Sequence, residues 1–219
     1  MSRSPPIISD FLKSGAFLMA RITIPAEERR LDNVAEIREF LKPFGIWYEH
    51  WDVAGRIEAE ATSEQILEAY APEIERLKQQ GGYVTADVIN VSPETPGLDA
   101  MLAKFDKEHT HSEDEVRFTV KGGGIFHIRP DNGPVFAVQV EPGDLINVPA
   151  GIRHWFNLCD DRQIRCIRLF LDPAGWAPHY SDDPVHAQFA PVCWGPNYLP
   201  TGVGHSLPDD TNGESVVRL

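Results

Sequence analysis

The sequence predicts a mainly β protein with small helices, its strands folded into an antiparallel sandwich or barrel. Three observations carry that expectation. From His109 onward, short apolar runs at 109–120, 125–129, 135–140, 145–148, 154–158 and 164–171 are separated by Gly, Pro, Asn and Asp, the texture of many short strands joined by turns. Helical periodicity is confined to brief stretches before residue 106. The chain has 219 residues, of which 42% are hydrophobic and 24% charged, which is globular composition on a length that can bury a full core.

In chain order, residues 1–15 mix Ser, Pro and Gly without periodicity and read as a loose arm. Phe17–Ile24 predicts a strand closed by Pro25. Asn33 and Glu36 have capping-box spacing, and Val34, Ile37, Phe40 and Leu41 form one apolar stripe, so a helix opens there and stops at Pro43 and Gly45. Ile46–Val53 is a short aromatic-rich strand. Thr62 with Gln65 caps a second helix, whose buried side is Ile66, Leu67, Tyr70, Ile74 and Leu77; Pro72 bends it and Gly81-Gly82 stops it. Tyr83–Val91 predicts a strand and Leu98–Phe105 a short helix. The helices decorate one β domain over 16–190, and the Pro-, Gly- and Asp-rich end, 191–219, forms a surface tail.

Composition excludes several classes. Lys plus Arg is 20 against 33 for Asp plus Glu, a net charge of −13, which repels phosphate backbones and anionic lipid and so excludes nucleic-acid and membrane-surface roles. The longest N-terminal apolar run, Ala16–Ala20, is far short of a span, and Asp10 and Lys13 interrupt any secretion signal. Cys159, Cys166 and Cys193 are odd in number and lack a CxxC pair, so buried thiols in a reducing cytoplasm are expected rather than disulfides. Gly122–Gly124 lacks the GK[ST] of a phosphate loop and reads as a hairpin connection.

The chemistry concentrates in FDKEHTHSEDEVRF, residues 105–118. His109, His111 and Glu115 share parity, so on a continuous strand two imidazoles and a carboxylate fall on one side, with Arg117 just beyond them. Glu113 and Asp114 then read as solvated neighbours of the ligand. Downstream, Gly143-xxxxx-Pro149-x-Gly151-xx-His154 presents a third imidazole at the start of another strand, with Phe156 on the same side. Three His and one Glu are a mixed nitrogen–oxygen donor set. It lacks the thiolates of structural zinc and has too much imidazole for magnesium or calcium, which points to iron, nickel, manganese or cobalt in the divalent state. An octahedral ion held this way keeps two positions open.

These two halves resemble the cupin motif, HxHxxxE with Gly122 following and then GxxxxxPxGxxH. The chain departs from it at Ala103, where a glycine is frequent, and at Asn157, displaced from its usual place after the last His. The resemblance implies a cupin-type double-stranded β-helix, a jelly-roll barrel. FDKEHTHSEDEVRF, VPAGIRHWF (148–156) and IRLFLDPAGW (167–176), together with the helices and aromatic strand before them, further resemble the acireductone dioxygenases over residues 16–190.

That resemblance implies His109, His111, Glu115 and His154 as ligands of one iron(II) or nickel(II), with no organic cofactor. It implies an enzyme of methionine salvage that cleaves 1,2-dihydroxy-5-(methylthio)pent-1-en-3-one with dioxygen; a cytoplasmic monomer is expected, although the sequence does not fix the oligomeric state. The iron form yields 4-methylthio-2-oxobutanoate and formate; the nickel form yields 3-(methylthio)propanoate, formate and carbon monoxide. Arg117 and Arg168 are the expected catalytic cations that stabilise the enediol anion, and Phe105, Phe156 and Trp176 the expected pocket walls for the methylthio tail. The residues alone leave open which of Arg162, Arg165 and Arg168 faces the pocket. They also leave open another cupin dioxygenase acting on an enolate or diketone, and a non-enzymatic metal- or small-molecule-binding cupin. His50, His127, His179, His186 and His205 lack matched spacing and read as structural or exposed.

Overall fold

Two antiparallel sheets face each other in the computed structural model, which describes residues 19–172 and 176–193. The expected arm over 1–15, the tail from 194 onward with His205, and residues 173–175 lie outside the described residues. The seven-stranded sheet runs in the order β12 (His179–Tyr180), β5 (His109–Thr110), β10 (Arg153–Leu158), β7 (Gly124–Arg129), β8 (Phe136–Val140), β1 (Arg21–Ile24) and β2 (Arg29–Leu31). The five-stranded sheet runs β3 (Trp47–His50), β9 (Asp144–Val148), β6 (Glu115–Gly122), β11 (Ile164–Phe170) and β4 (Thr85–Val91). Mainly β with small helices is therefore the observed class, as the turn-punctuated second half of the sequence implies.

Strand alternation divides the core in two. In β6, Val116, Phe118 and Val120 point outward, where α2 (Ser63–Ala69) and α3 (Ala71–Gly81) cover them with Ile66, Tyr70, Ile74 and Leu77. Between the sheets, Ile22, Phe126, Ile128, Val138, Ile146 and Phe156 pack with Ile37 and Leu41 of α1 (Val34–Leu41). Glu115, Arg117 and Thr119 take the opposite parity from the outward trio and are buried. The interior of the barrel thus receives both apolar residues and the polar face of β6.

The caps read from sequence are built as expected. Asn33 accepts from the backbone N–H groups of Ala35 and Glu36, and Thr62 and Gln65 close a reciprocal capping box. Pro72 goes further than bending the second helix: it occupies the first turn of α3, and Tyr70 separates that helix from α2. α4 spans Leu98–Leu102.

Three expectations are corrected. The run 109–120 is not one strand: Thr110 ends β5, and β6 begins at Glu115 in the other sheet. Gly122–Gly124 is not a hairpin connection, because β6 and β7 belong to different sheets. It is a corner, and it needs glycine: Gly122 has φ 69° and a Cβ there would lie 2.1 Å from Gln163 O, while a Cβ on Gly124 would meet the Phe156 ring at 2.2 Å. Finally, Cys159 and Cys193 form a disulfide, their Cα atoms 5.8 Å apart across a sequence separation of 34. Among the described cysteines, only Cys166 is the expected buried thiol. No helix among the described residues is long and apolar enough to cross a membrane.

Candidate metal centre

His109 and His154 are direct cross-strand partners on β5 and β10, so backbone pairing alone sets their imidazoles side by side, ring centroids 4.6 Å apart. His111 lies on the segment that leaves β5 and crosses to the opposite sheet, and its carbonyl accepts from Gly151 N–H at 2.9 Å, which ties the crossing to the turn before β10. Glu115 opens β6 and enters from the far sheet. The four side chains are buried, and one donor atom from each lies within 4.8 Å of the others. The convergence expected from strand parity is real, but it arises from a crossing between sheets rather than from one continuous strand.

The hydrogen bonds around the rings prepare these residues for a cation. Nδ1 of His109 contacts Lys107 O at 2.6 Å, Nδ1 of His154 contacts Ile152 O at 2.8 Å, and Nδ1 of His111 contacts Ala177 O at 3.0 Å. A carbonyl only accepts, so each Nδ1 carries the hydrogen and each neutral ring turns its Nε2 lone pair inward. Glu115 Oε2 lies 2.9 Å from His111 Nε2 and 3.1 Å from His154 Nε2. His111 Nε2 nonetheless has no hydrogen-bond geometry to any partner. Lone pairs facing a carboxylate oxygen at about 3 Å repel unless a positive charge lies among them, and about 3 Å is the spacing of adjacent donors around an ion with bonds of about 2.1 Å. The donor set therefore fits a divalent ion, and these four residues form a metal-binding site.

Ionisation follows the same geometry. Burial, reinforced by His154, pushes His109 down to about 4 and keeps it a neutral donor. Burial opposes the charge on Glu115, yet Arg117 and the two neighbouring imidazoles hold its carboxyl well below the usual range. Burial likewise opposes charge on His111, and the adjacent Glu115 carboxylate overcomes it and raises that ring.

Arg117 is buried beside the ligands and donates from Nε to Glu115 Oε1 at 2.5 Å. It has the inward orientation expected of it, together with a role parity did not suggest: it occupies one oxygen of the ligand carboxylate. Its guanidinium lies over Phe156 at 5.2 Å and Trp176 at 5.3 Å. Arg168 is its cross-strand partner on β11. Of the three arginines left open by the sequence, Arg168 faces inward, where it shares a cavity of about 30 Å³ with Arg117, Phe105 and Phe156. Arg162 instead pairs with exposed Asp99, and Arg165 bonds Asn90 and the carbonyls of Ala59 and Ala61. Trp176 does not line that cavity. Its ring lies against His111 at 6.1 Å and Phe170 at 4.6 Å, and its Nε1 donates to Asp114 O.

The residues missed by sequence reasoning are those that hold the site in place. Asp114 is not a solvated carboxylate: it accepts from Ala150 N–H, Asn147 Nδ2 and Tyr83 Oη, and so fastens the crossing segment to β9 and its following turn. Glu113 accepts from the N–H groups of Leu171 and Asp172 at the end of β11. Asp87 on β4 holds Arg168 with two bonds of 2.9 and 2.6 Å. Only the Glu113–Glu115 acidic run hinted at any of this. Of the remaining histidines, His50 bonds buried Asp144, His127 stacks on Trp155 at 4.9 Å, and His179 is exposed on β12.

Known proteins share this arrangement of elements. The profile of the ARD/ARD′ family matches residues 20–178. The chain is 41% identical over 173 residues to the acireductone dioxygenase of Sulfurihydrogenibium sp., covering 75% of this chain and 96% of that protein. It is 42% identical over 171 residues to that of Bacillus cytotoxicus, covering 74% and 100%. Among solved structures, the acireductone dioxygenase from Bacillus anthracis, with a cadmium ion in its active centre, superposes with a TM-score of 0.70 at 41% identity, over 74% of this chain and 98% of that one. By profile, sequence and superposition alike, the chain belongs to the ARD/ARD′ family.

Proposed function

We propose that this chain is an acireductone dioxygenase of methionine salvage, cleaving 1,2-dihydroxy-5-(methylthio)pent-1-en-3-one with dioxygen. The observation that carries the reading is the placing of two inward arginines, Arg117 and Arg168, in one apolar cavity against the carboxylate of a three-His, one-Glu metal site. Iron(II) or nickel(II), one per chain and without an organic cofactor, fits the ligands His109, His111, Glu115 and His154, and such an ion supplies Lewis acidity toward the enediol oxygens. The iron form is proposed to give 4-methylthio-2-oxobutanoate and formate, and the nickel form 3-(methylthio)propanoate, formate and carbon monoxide.

The chain's own residues divide the remaining work. Arg117 is permanently charged and spends Nε on Glu115, which leaves its two Nη groups to hold the oxygen anion of the deprotonated enediol. Arg168, fixed by Asp87, adds a second cation to the same cavity wall. Phe105 and Phe156 give the methylthio tail an apolar surface, and Trp176 closes the side next to His111. Phe156 N–H donates to Phe105 O at 2.8 Å, so the two walls move as one. A cavity of about 30 Å³ has the volume of about one water, so admitting substrate requires the α4 side of the wall, Met101 and Leu102, to give way. We further take residues 16–190 as one catalytic domain that acts as a monomer in the cytoplasm.

The test is product analysis. The protein is stripped of metal, reloaded separately with iron(II) and nickel(II), and supplied with acireductone generated in place. Oxygen uptake with keto-acid from the iron form and carbon monoxide from the nickel form is expected. No uptake above a metal-free control, with metal shown to be bound, would move the reading to another enolate substrate or to a binding protein.

A further inference from the structure

We infer that the Cys159–Cys193 disulfide is a reversible thiol–disulfide site that controls access to the metal centre. The consequence for turnover rests on the acireductone dioxygenase reading; the geometry does not. Cys159 directly follows β10, whose residues Phe156 and Leu158 line the inner cavity. The same two side chains, with Leu102 of α4, also line a surface cleft of about 380 Å³. These three residues are thus the partition between solvent and the cavity that holds Arg117, itself bonded to the ligand Glu115.

Pro191 closes the other side of the cleft, and two residues later Cys193 is bonded to Cys159. Residues 190–193 belong to no strand or helix. Their anchors include that bond, the packing of Cys193 against Ile125 and Ala137, and the preceding Phe189, which packs 5.9 Å from Trp155 and 6.2 Å from His127. The exposed ion pair of Asp99 on α4 with Arg162 also spans the cleft, a kind of contact that restrains little. Cleavage of one covalent bond therefore leaves the cleft wall held by side-chain packing, which loosens it while the sheets stay intact.

The reagent class is a dithiol. A dithiol thiolate attacks Sγ of Cys193, the more exposed of the pair at 7% against 2%, and Cys159 leaves as a thiolate that takes up a proton. The second thiol then resolves the mixed disulfide. Two electrons and two protons pass from the dithiol to the cysteines, and the dithiol becomes a disulfide. Burial of both sulfurs means that attack follows local opening of the strap.

The test compares nickel-loaded wild type in its oxidised form, the same protein reduced with a phosphine that is then removed, and Cys193→Ser. Hydrogen exchange of 98–106 and 188–193, the rate at which a chelator extracts nickel, and kcat/KM are measured on each. Faster exchange in both segments is expected for the reduced protein and for Cys193→Ser, with extraction and kcat/KM each raised by at least about threefold. Unchanged exchange or unchanged extraction overturns the inference, and so does an unchanged kcat/KM in active enzyme. Absence of turnover in all three forms, with faster extraction on reduction, would instead overturn the dioxygenase reading and leave the gate standing.

Discussion

Arg117 Nε donates to Glu115 Oε1 at 2.5 Å, and Oε2 of that carboxylate faces the imidazoles of His111 and His154. The arginine thereby orients a ligand as well as lining the cavity. Loss of such a partner weakens metal affinity or activity by about 10- to 100-fold. Arg117→Ala is expected to retain measurable metal, bind it more weakly by that order, and turn over more slowly. Arg117→Lys is expected to restore little, because an ammonium lacks the fork that serves both Glu115 and an anion. Competition against a chelating dye, with steady-state kinetics on the loaded variants, reads both effects; wild-type values in Arg117→Ala would remove the arginine from the site.

Metal and fold stability are coupled through the ligands. An ion present at a thousandfold its dissociation constant stabilises the native state by about 4 kcal/mol. Chelation is expected to lower Tm of the wild type, and nickel(II) or iron(II) to restore it. In His111→Ala the Tm is expected to respond to neither, and metal analysis to find no stoichiometric ion. Stoichiometric metal in that variant would sink the ligand assignment.

Asp87 supports Arg168 from a half-exposed position, with side-chain exposures of 47% and 23% for the two partners. A pair this open is worth at most about 1 kcal/mol of stability. Asp87→Asn is therefore expected to fold normally and to show its effect as a raised KM with little change in kcat, since Arg168 loses its fixed orientation. A matched fall in Tm and in activity would mean that Asp87 acts on the fold alone.

His127 makes acid stability predictable. Burial pushes its imidazole from 6.5 down to about 4. Its contribution is present in full above pH 6.5, where the folded and unfolded rings are both neutral. It is lost as pH falls toward 4, because the unfolded chain takes up a proton that the folded one excludes. The shift corresponds to about 3 kcal/mol across that window. His127→Phe, which keeps a ring against Trp155, is expected to flatten the fall in stability between pH 6.5 and 4 in urea titrations of the metal-free protein. A slope equal to that of the wild type would show that the ring titrates normally.

Local signals in the sequence are legible where one interaction decides the outcome. Asn33 and Thr62 cap their helices because a side-chain oxygen within three residues of free N–H groups suffices. The four ligands were legible because their spacing survives the break in the strand. What escaped depends on contacts far apart in sequence. Cys159 and Cys193 carry no spacing signal for a bond closed by the path of β10 and the strap. Arg29–Leu31, with one apolar residue, becomes a strand only because β1 offers an edge. Asp114 looked solvated because its partners, Tyr83, Asn147 and Ala150, arrive from elsewhere in the chain.

The crossing of the chain between β5 and β6 has a mechanical consequence. His109 and His154 belong to one sheet and Glu115 to the other, so a bound ion is a rivet through both leaves of the barrel. With the rivet in place, neither leaf can peel away without breaking a coordination bond, and the two should unfold as one unit. Drawn out, it leaves that end of the barrel to packing and to hydrogen bonds such as those of Asp114, Glu113 and the His111 carbonyl, and the rim around the site becomes the first part of the barrel to breathe.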